Sequence, residues 1–262
     1  MPKPFTDHHP KALAEVNGKT LLQRNIEYLQ QFGIYDVIIN VHHFAAQVIQ
    51  TIKDNGGWGS NISISDETDA ILETGGGLKR AAWFFKDEED LVLMNSDVLT
   101  DMPLDKMIAF HKENNPLATL ATSTRETSRY FLFDKCNVLC GWKNVKTGAE
   151  KIMCSPQSQP LAKGGDYFPT GEEGLYFSDT STGEGLRLTP KAFSGIHVVN
   201  TKIFSLIQQS KAKFSMVDVY LSLCAQNKIL SFDHFGARFI DVGKPESLIQ
   251  AAILFNNDFR IS

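Results

Sequence analysis

Two carboxylates in this sequence each follow a short apolar run. Asp97 closes Asn95-Ser-Asp97, directly after Leu91-Val-Leu-Met94, and Asp241 follows Ala237-Arg-Phe-Ile240 and precedes Val-Gly-Lys-Pro245. A carboxylate just beyond a buried strand can hold Mg²⁺ against a bound phosphate, because that ion takes one or two carboxylates and completes its shell with substrate oxygens. The plainer reading is an Asp that caps the next turn or helix, and the two act as a pair only if their strands are neighbours. Lys11, in Pro10-Lys-Ala-Leu13, follows a proline-fixed turn, where it could meet phosphate oxygens as a point charge or simply be solvated. Glu73-Thr74-Gly75-Gly76-Gly77 lies between a strand pattern and a helix pattern. Its glycines let backbone approach a flat or anionic ligand, with N–H groups at the helix start to receive it. Arg80 stands where the last glycine of a dinucleotide fingerprint belongs, and no Gly-Lys-Ser/Thr follows, so it is not a P-loop. A tight connection with no ligand fits this spacing equally well.

Other reactive side chains fit less chemistry. Ser194, in Phe-Ser-Gly-Ile, lacks the Gly-x-Ser-x-Gly elbow of a serine hydrolase. Neighbours on a strand face opposite ways, so His42-His43 reads as one packed and one loop-facing imidazole rather than a metal pair. Cys136, Cys140, Cys154 and Cys224 form no Cys-x-x-Cys and have no His at zinc spacing, which predicts reduced, structural thiols.

The elements that must position these groups follow from periodicity. Leu21, Leu22, Ile26, Leu29 and Phe32 recur at helical spacing, with Gly33 placed to end the helix. Tyr35–Val41 and Asp90–Asn95 are short, nearly continuous apolar runs, as strands covered on both faces read. Between and after them the pattern predicts helices over 45–53, 77–84 and 104–112 and strands over 62–65 and 117–122. Such alternation implies an α/β fold, a doubly wound, mostly parallel sheet with helices on both faces. After Thr122 a hairpin is expected over 130–142, strands over 192–199 and 237–241, and helices over 202–209, 216–226 and 245–255. Residues 155–190 are dense in Ser, Thr, Pro, Gly and charge and read as an inserted loop or lid within one domain spanning 1–262.

Composition narrows the partners. The chain has 262 residues, 42% of them hydrophobic, and a net charge of −4 without a Lys/Arg run. That argues against nucleic acid or an anionic membrane as the main partner. No apolar stretch approaches the roughly 20 residues that span a bilayer, and the start carries no apolar signal region, so a cytoplasmic location is expected.

Taken together, Thr6-Asp-His-His-Pro-Lys-Ala-Leu13, Asn40-Val-His-His43, Leu72-Glu-Thr-Gly-Gly-Gly-Leu78, Asn95-Ser-Asp97, Phe193-Ser-Gly-Ile-His197 and Asp241-Val-Gly-Lys-Pro245 resemble the sugar-1-phosphate nucleotidyltransferases. They run in family order over nearly the whole chain. The likeness is greatest to short bacterial members such as N-acetylmuramate-1-phosphate uridylyltransferases and mannose-1-phosphate guanylyltransferase-like proteins. The resemblance implies a Rossmann-like sheet and transfer of a nucleotide from a nucleoside triphosphate to a sugar-1-phosphate, releasing pyrophosphate. By it, Asp97 and Asp241 would hold Mg²⁺ and Lys11 would meet nucleotide phosphates. Glu73, Thr74, Gly75 and Gly76 would line the base pocket, and Thr122, Ser123 and Gly195 would border the sugar. Family members open with a hydrophobic strand and a Gly-x-Gly-Thr-Arg-Leu-type loop around the phosphates. This sequence starts just past the place where that loop ends, so a domain without that strand and loop is expected. Two functions follow as alternatives: an Mg²⁺-dependent transferase whose 262-residue form turns over poorly, or a catalytically inactive nucleotide-sugar-binding or regulatory homologue.

Overall fold

A computed structural model describes residues 10–153, 175–178, 185–208 and 211–256. The chain enters through a single helical turn, Lys11–Leu13, then a small hairpin of β1 (Glu15–Val16) and β2 (Lys19–Thr20). Asn17 and Gly18 turn it at φ 49° and 75°, the left-handed pair that tight hairpins require. Helix α1 (Leu21–Gln30) starts where the Thr20 hydroxyl accepts from the Gln23 N–H, and it buries Leu21, Leu22 and Ile26. A parallel βαβ unit follows: β3 (Asp36–Val41), α2 (Ala45–Asp54) and β4 (Asn61–Asp66). Next come α3 (Glu73–Arg80), β5 (Asp90–Met94), β6 (Val98–Thr100), α4 (Leu104–Asn114) and β7 (Ala118–Ser123). The expected hairpin is β8 (Arg129–Phe133) and β9 (Leu139–Asn144), extended by β10 (Glu150–Ile152). Then follow β11 (Leu175–Ser178), the sixteen-residue β12 (Gly185–Asn200), α5 (Ile203–Leu206), α6 (Met216–Leu223), β13 (Ile229–Asp233), β14 (Phe239–Asp241) and α7 (Pro245–Leu254).

The central strand is β12. Its second half pairs antiparallel with β5 on one edge and β7 on the other, while Thr189–Lys191 pair with β8. With β13 parallel to β7, strands β5, β7 and β13 share one direction and β12 runs against them. One core cluster joins Leu120, Phe131, Val199 and Tyr220 beneath α6; a second on the opposite face joins Ile196, Val198, Met102 and Met107 beneath α4. Helices on both faces of a mostly parallel sheet is the expected fold class.

One feature departs from a continuous sheet. Strands β3 and β4 form a separate two-stranded sheet, and β5 pairs only with β12 among the described residues. A cavity of about 1110 Å³ separates β3 from β5 and is lined by residues 36–40 of β3 and by all of β5. Two expectations meet a different outcome. Cys140 is disulfide-bonded, so the four thiols are not all reduced, although Cys136 and Cys224 are free. The helix expected over 77–84 begins earlier, at Glu73, and its glycines lie within it. Most of the 155–190 insertion lies outside the described residues.

Candidate active site

The carboxyl end of β5 is where chemistry-bearing residues converge. Asn95 donates its N–H to the Gly195 carbonyl at 2.9 Å, and Ser96 is pinned through its carbonyl by the Asn25 amide at 3.0 Å. The chain then turns into β6, which pairs antiparallel with β14 so that Asp241 lies opposite Val98. The Val242 N–H also donates to the Asp97 carbonyl at 2.8 Å. A three-residue ladder thus brings Asp241 beside Asp97. The turn at Pro10 delivers Lys11, whose Nζ donates to Asp97 Oδ2 at 3.0 Å. A Cβ at Gly243 would lie 2.9 Å from Asp241 Oδ1 and 3.9 Å from Lys11 Nζ, so a side chain there would push the Asp241 carboxylate aside. The structure therefore brings Lys11, Asp97 and Asp241 together.

Burial raises the Asp241 pKa above its ordinary value and the Asp97 charge adds to this, while Lys11 and Arg125 oppose the shift. Two neighbouring carboxylates whose charges oppose one another are a donor set that a hard divalent cation relieves. Among the described residues no cluster of three or more His, Cys, Asp or Glu could cage a metal alone. The pair fits Mg²⁺ with most of its shell left to substrate and water.

The glycine-rich segment is built differently from expectation. Glu73 sits at φ 60°, a strained conformation for a non-glycine residue, and its carboxylate lies 3.6 Å from Lys213 Nζ. The Gly75 and Gly76 N–H groups both donate to the Phe214 carbonyl, at 3.0 and 3.2 Å, and Thr74 Oγ1 accepts from the Met216 N–H. Those donors are not free for a ligand. The glycines answer packing instead: a Cβ at Gly75 would meet the Phe214 ring, at Gly76 the Ala212 carbonyl, and at Gly77 the Asn40 amide and Glu67 carboxylate. Glu73 and Thr74 do border the cavity at its carboxyl end, together with Asn40, Glu67 and Asp97. Asn40 Nδ2 donates to Glu67 Oε1 at 2.7 Å, and burial pushes the Glu67 carboxyl up. His42 Nδ1 meets the Glu67 carbonyl at 2.8 Å while His43 is exposed, a packed and a loop-facing imidazole as read from sequence.

On the other side of β5 the residues expected at the sugar fare unequally. Gly195 occupies a bulge of β12 at φ 72°, and a Cβ there would come 2.7 Å from the Asn95 amide, so only glycine lets the strand pass this close. Thr122 is fully buried with its Oγ1 2.8 Å from Ser231 Oγ, so its hydroxyl belongs to the core between β7 and β13 rather than to the cleft. Ser123 Oγ is buried without a hydrogen-bond partner among the described residues.

Sequence reading missed Arg125. It donates from Nη2 to the Phe193 carbonyl at 2.8 Å, lies 5.2 Å from the Phe239 ring centroid, and acts electrostatically on Asp241. Its signal was positional: it follows the carboxyl end of a parallel strand, where open α/β sheets place ligands. Ser194 is not free either, as its hydroxyl meets His234 Nε2 at 2.7 Å with both side chains buried.

An open α/β sheet with paired carboxylates and a lysine beyond its strand ends defines a class, the α/β proteins whose ligands bind beyond the carboxyl ends of the strands. Within it, the chain belongs to the nucleotidyl transferase family, whose model matches residues 3–257. It is similar to a mannose-1-phosphate guanyltransferase of Yarrowia lipolytica, 29% identical over 256 residues covering 97% of this chain and 60% of that one. The chain thus spans about 60% of that relative's length. Among solved structures, HddC from Yersinia pseudotuberculosis complexed with GMP-PN superposes with a TM-score of 0.65 at 19% identity, covering 94% of this chain and 90% of that one. A UDP-glucose pyrophosphorylase complexed with UDP-glucose gives 0.66 at 12% identity, covering 97% and 92%. These two likenesses show the fold. No helix among the described residues is long and apolar enough to cross a membrane.

Proposed function

We propose that this protein transfers a nucleotide from a nucleoside triphosphate to a sugar-1-phosphate. The observation that carries this reading is the convergence of Lys11, Asp97 and Asp241 from three separate segments at the carboxyl end of β5. In the reaction a phosphate oxygen of the sugar-1-phosphate attacks the α-phosphorus, the α–β phosphoanhydride bond breaks, and pyrophosphate leaves with its electron pair. Such transfers need positioning and charge neutralisation more than a protein nucleophile. Asp97 and Asp241 would hold Mg²⁺, which when bound supplies positive charge to the developing phosphate oxygens. Lys11, tethered on Asp97, orients that carboxylate and offers its ammonium to the phosphates. Because the relative above is named a mannose-1-phosphate guanyltransferase, GTP with mannose 1-phosphate is the first substrate pair to test. The reaction belongs where nucleoside triphosphates are plentiful, in the cytoplasm.

The second reading, an inactive nucleotide-sugar-binding homologue, is favoured by one observation: the Gly75 and Gly76 N–H groups are already spent on Phe214. Pyrophosphate release from a panel of triphosphates and sugar-1-phosphates, with and without Mg²⁺, separates the two. The transferase reading expects Mg²⁺-dependent release that Asp97→Asn lowers at least about 100-fold, with a much smaller effect on sugar-phosphate affinity. Nucleotide-sugar binding without any release hands the case to the binding reading.

A further inference from the structure

Arg125 is a cation with most of its hydrogen-bonding capacity unspent. A guanidinium carries five N–H donors in a planar fork and stays charged in proteins. Among the described residues only Nη2 has a partner, the Phe193 carbonyl at 2.8 Å, while Nε is buried with none. Charged donors left unpaired in a partly desolvated place cost stability. The side chain is nevertheless held in position. Phe193 lies just before the β12 bulge at Gly195, and the guanidinium carbon sits 5.2 Å from the centroid of the Phe239 ring. Phe239 and Asp241 are two apart on β14, so ring and carboxylate share one face of that strand. Arg125 and Asp241 act on each other's charge, though no hydrogen bond joins them. Lys11 answers Asp97 by direct contact; Arg125 answers Asp241 only through space, and its donors remain for something else.

The surroundings repeat the pattern. The His234 ring lies 5.5 Å from that of Phe239, its Nε2 meets the Ser194 hydroxyl, and its Nδ1 is buried without a partner among the described residues. The His234 N–H donates to the Thr122 carbonyl at 3.2 Å, which sets it beside Ser123, whose Oγ is likewise buried and unpartnered. Burial holds His234 toward its neutral form. One charged and two neutral polar groups are thus unspent past the carboxyl ends of β7 and β13, where open α/β sheets bind ligands. Arg125 lies outside all six segments that carry the family resemblance, so the resemblance assigns it no role.

We propose that Arg125 receives an oxyanion of the sugar substrate on the free edge of its guanidinium, either the anomeric phosphate or a carboxylate carried on the ring. A planar fork matches two oxygens of one such group at once, which an ammonium does not. An anion seated there lies near Asp241, on the side where a phosphate oxygen of the sugar must be held before it attacks. Ser123 and His234, being neutral, suit hydroxyls of the same molecule. This deepens the transferase reading and rests on it for the identity of the ligand.

The test is isothermal titration of the 262-residue chain, in Mg²⁺, with mannose 1-phosphate and with glucuronic acid 1-phosphate, for the wild type, Arg125→Gln and Arg125→Lys. If the fork holds the phosphate, Arg125→Gln should weaken both sugars at least about tenfold. A loss of about tenfold confined to the acidic sugar assigns the fork to the carboxylate instead. Arg125→Lys keeps the charge without the fork and should fall between, and GTP affinity should change less than about twofold in either variant. Should Arg125→Gln not fold, phenylglyoxal labelling of Arg125 in the wild type, read by peptide mass, takes its place: a sugar phosphate should slow it severalfold and GTP should not. Equal weakening of GTP and both sugar phosphates overturns the proposal, as does unchanged binding or labelling. So does a wild type that binds neither sugar phosphate at about 10 mM. Pyrophosphate release tells this inference from the reading beneath it. Arg125-dependent binding without release keeps the inference and sinks the transfer; release that Arg125→Gln leaves unaltered keeps the transfer and sinks the inference.

Discussion

Strands β5 and β7 flank the same partner and run in the same direction, yet they live in different surroundings. β7, Ala-Thr-Leu-Ala-Thr-Ser, is bonded on both edges by β12 and β13, and five of its six residues are buried. β5, Asp-Leu-Val-Leu-Met, is bonded on one edge among the described residues, and only its Leu91 is buried. The more apolar strand is the wetter one. Hydropathy records what a strand is made to sit beside, whereas burial records what sits beside it. The mismatch at β5, repeated at β3 with its half-buried Val-Ile-Ile run, marks the sheet as divided there.

The sharpest way to break this comparison is to remove the same atoms from both strands. Leu120 of β7 is completely buried, so Leu120→Ala should cost about 2–5 kcal/mol in urea unfolding. Leu93 of β5 borders the cavity and is only half-buried, so Leu93→Ala should cost under about 2 kcal/mol. Equal losses would show that β5 is as enclosed in solution as β7.

Next in size is an acid sensitivity seated in the filled half. His197 of β12 is buried with Nδ1 2.6 Å from the Tyr220 hydroxyl, and burial pushes its pKa down from 6.5 to about 3. Between those values the unfolded chain binds a proton that the folded chain refuses. Stability is therefore intact above about pH 6.5 and falls as the pH drops toward 3, by at most about 1.4 kcal/mol per unit from this group. His111 and His234 are lowered by burial too and steepen the fall. Urea midpoints at pH 7.5 and 4.5 measure it. His197→Gln should flatten the difference, and an unchanged slope would remove His197 from the account.

Much of this molecule was legible in advance because its central strands and helices carry long, unambiguous periods. Tyr35–Val41, Asp90–Asn95 and the Leu21–Phe32 helix fall within a residue or two of their observed positions. The convergence of Asp97 with Asp241 was not, since it rests on β6 and β14, three-residue strands with no period to detect. Nor can spacing tell a glycine that admits a ligand from one that admits a neighbour. Gly75, Gly76 and Gly77 proved to be the second kind, held against Phe214, Ala212 and the Asn40–Glu67 pair. Thr122 failed for a related reason: its place at a strand end was right, but the alternation of the strand turns its side chain onto β13. The Asn17-Gly18 hairpin carried a usable signal that went unread.

The smallest expected effect tests whether the two halves unfold as one. Each carries a helix with a side-chain N-cap. On the cavity side, Thr20 Oγ1 accepts from the Gln23 N–H at 3.1 Å to start α1. On the filled side, Ser215 Oγ accepts from the Asp218 N–H at 3.1 Å to start α6. Replacing either cap with Ala should cost about 1 kcal/mol locally. Helix α6 lies over the core cluster that includes Leu120, Val199 and Tyr220, so Ser215→Ala should lower the global melting temperature. Helix α1 is a wall of the cavity, and its Leu22 and Ile26 belong to a cluster shared with β3 and α2 rather than with β7. A region with few neighbours opens before the whole molecule does. Thr20→Ala should therefore speed exchange of α1 and β3 amides severalfold while moving the main melting transition little. If both substitutions lower the global transition equally and neither changes local exchange, the cavity does not divide the molecule energetically, and the contrast between β5 and β7 is one of shape alone.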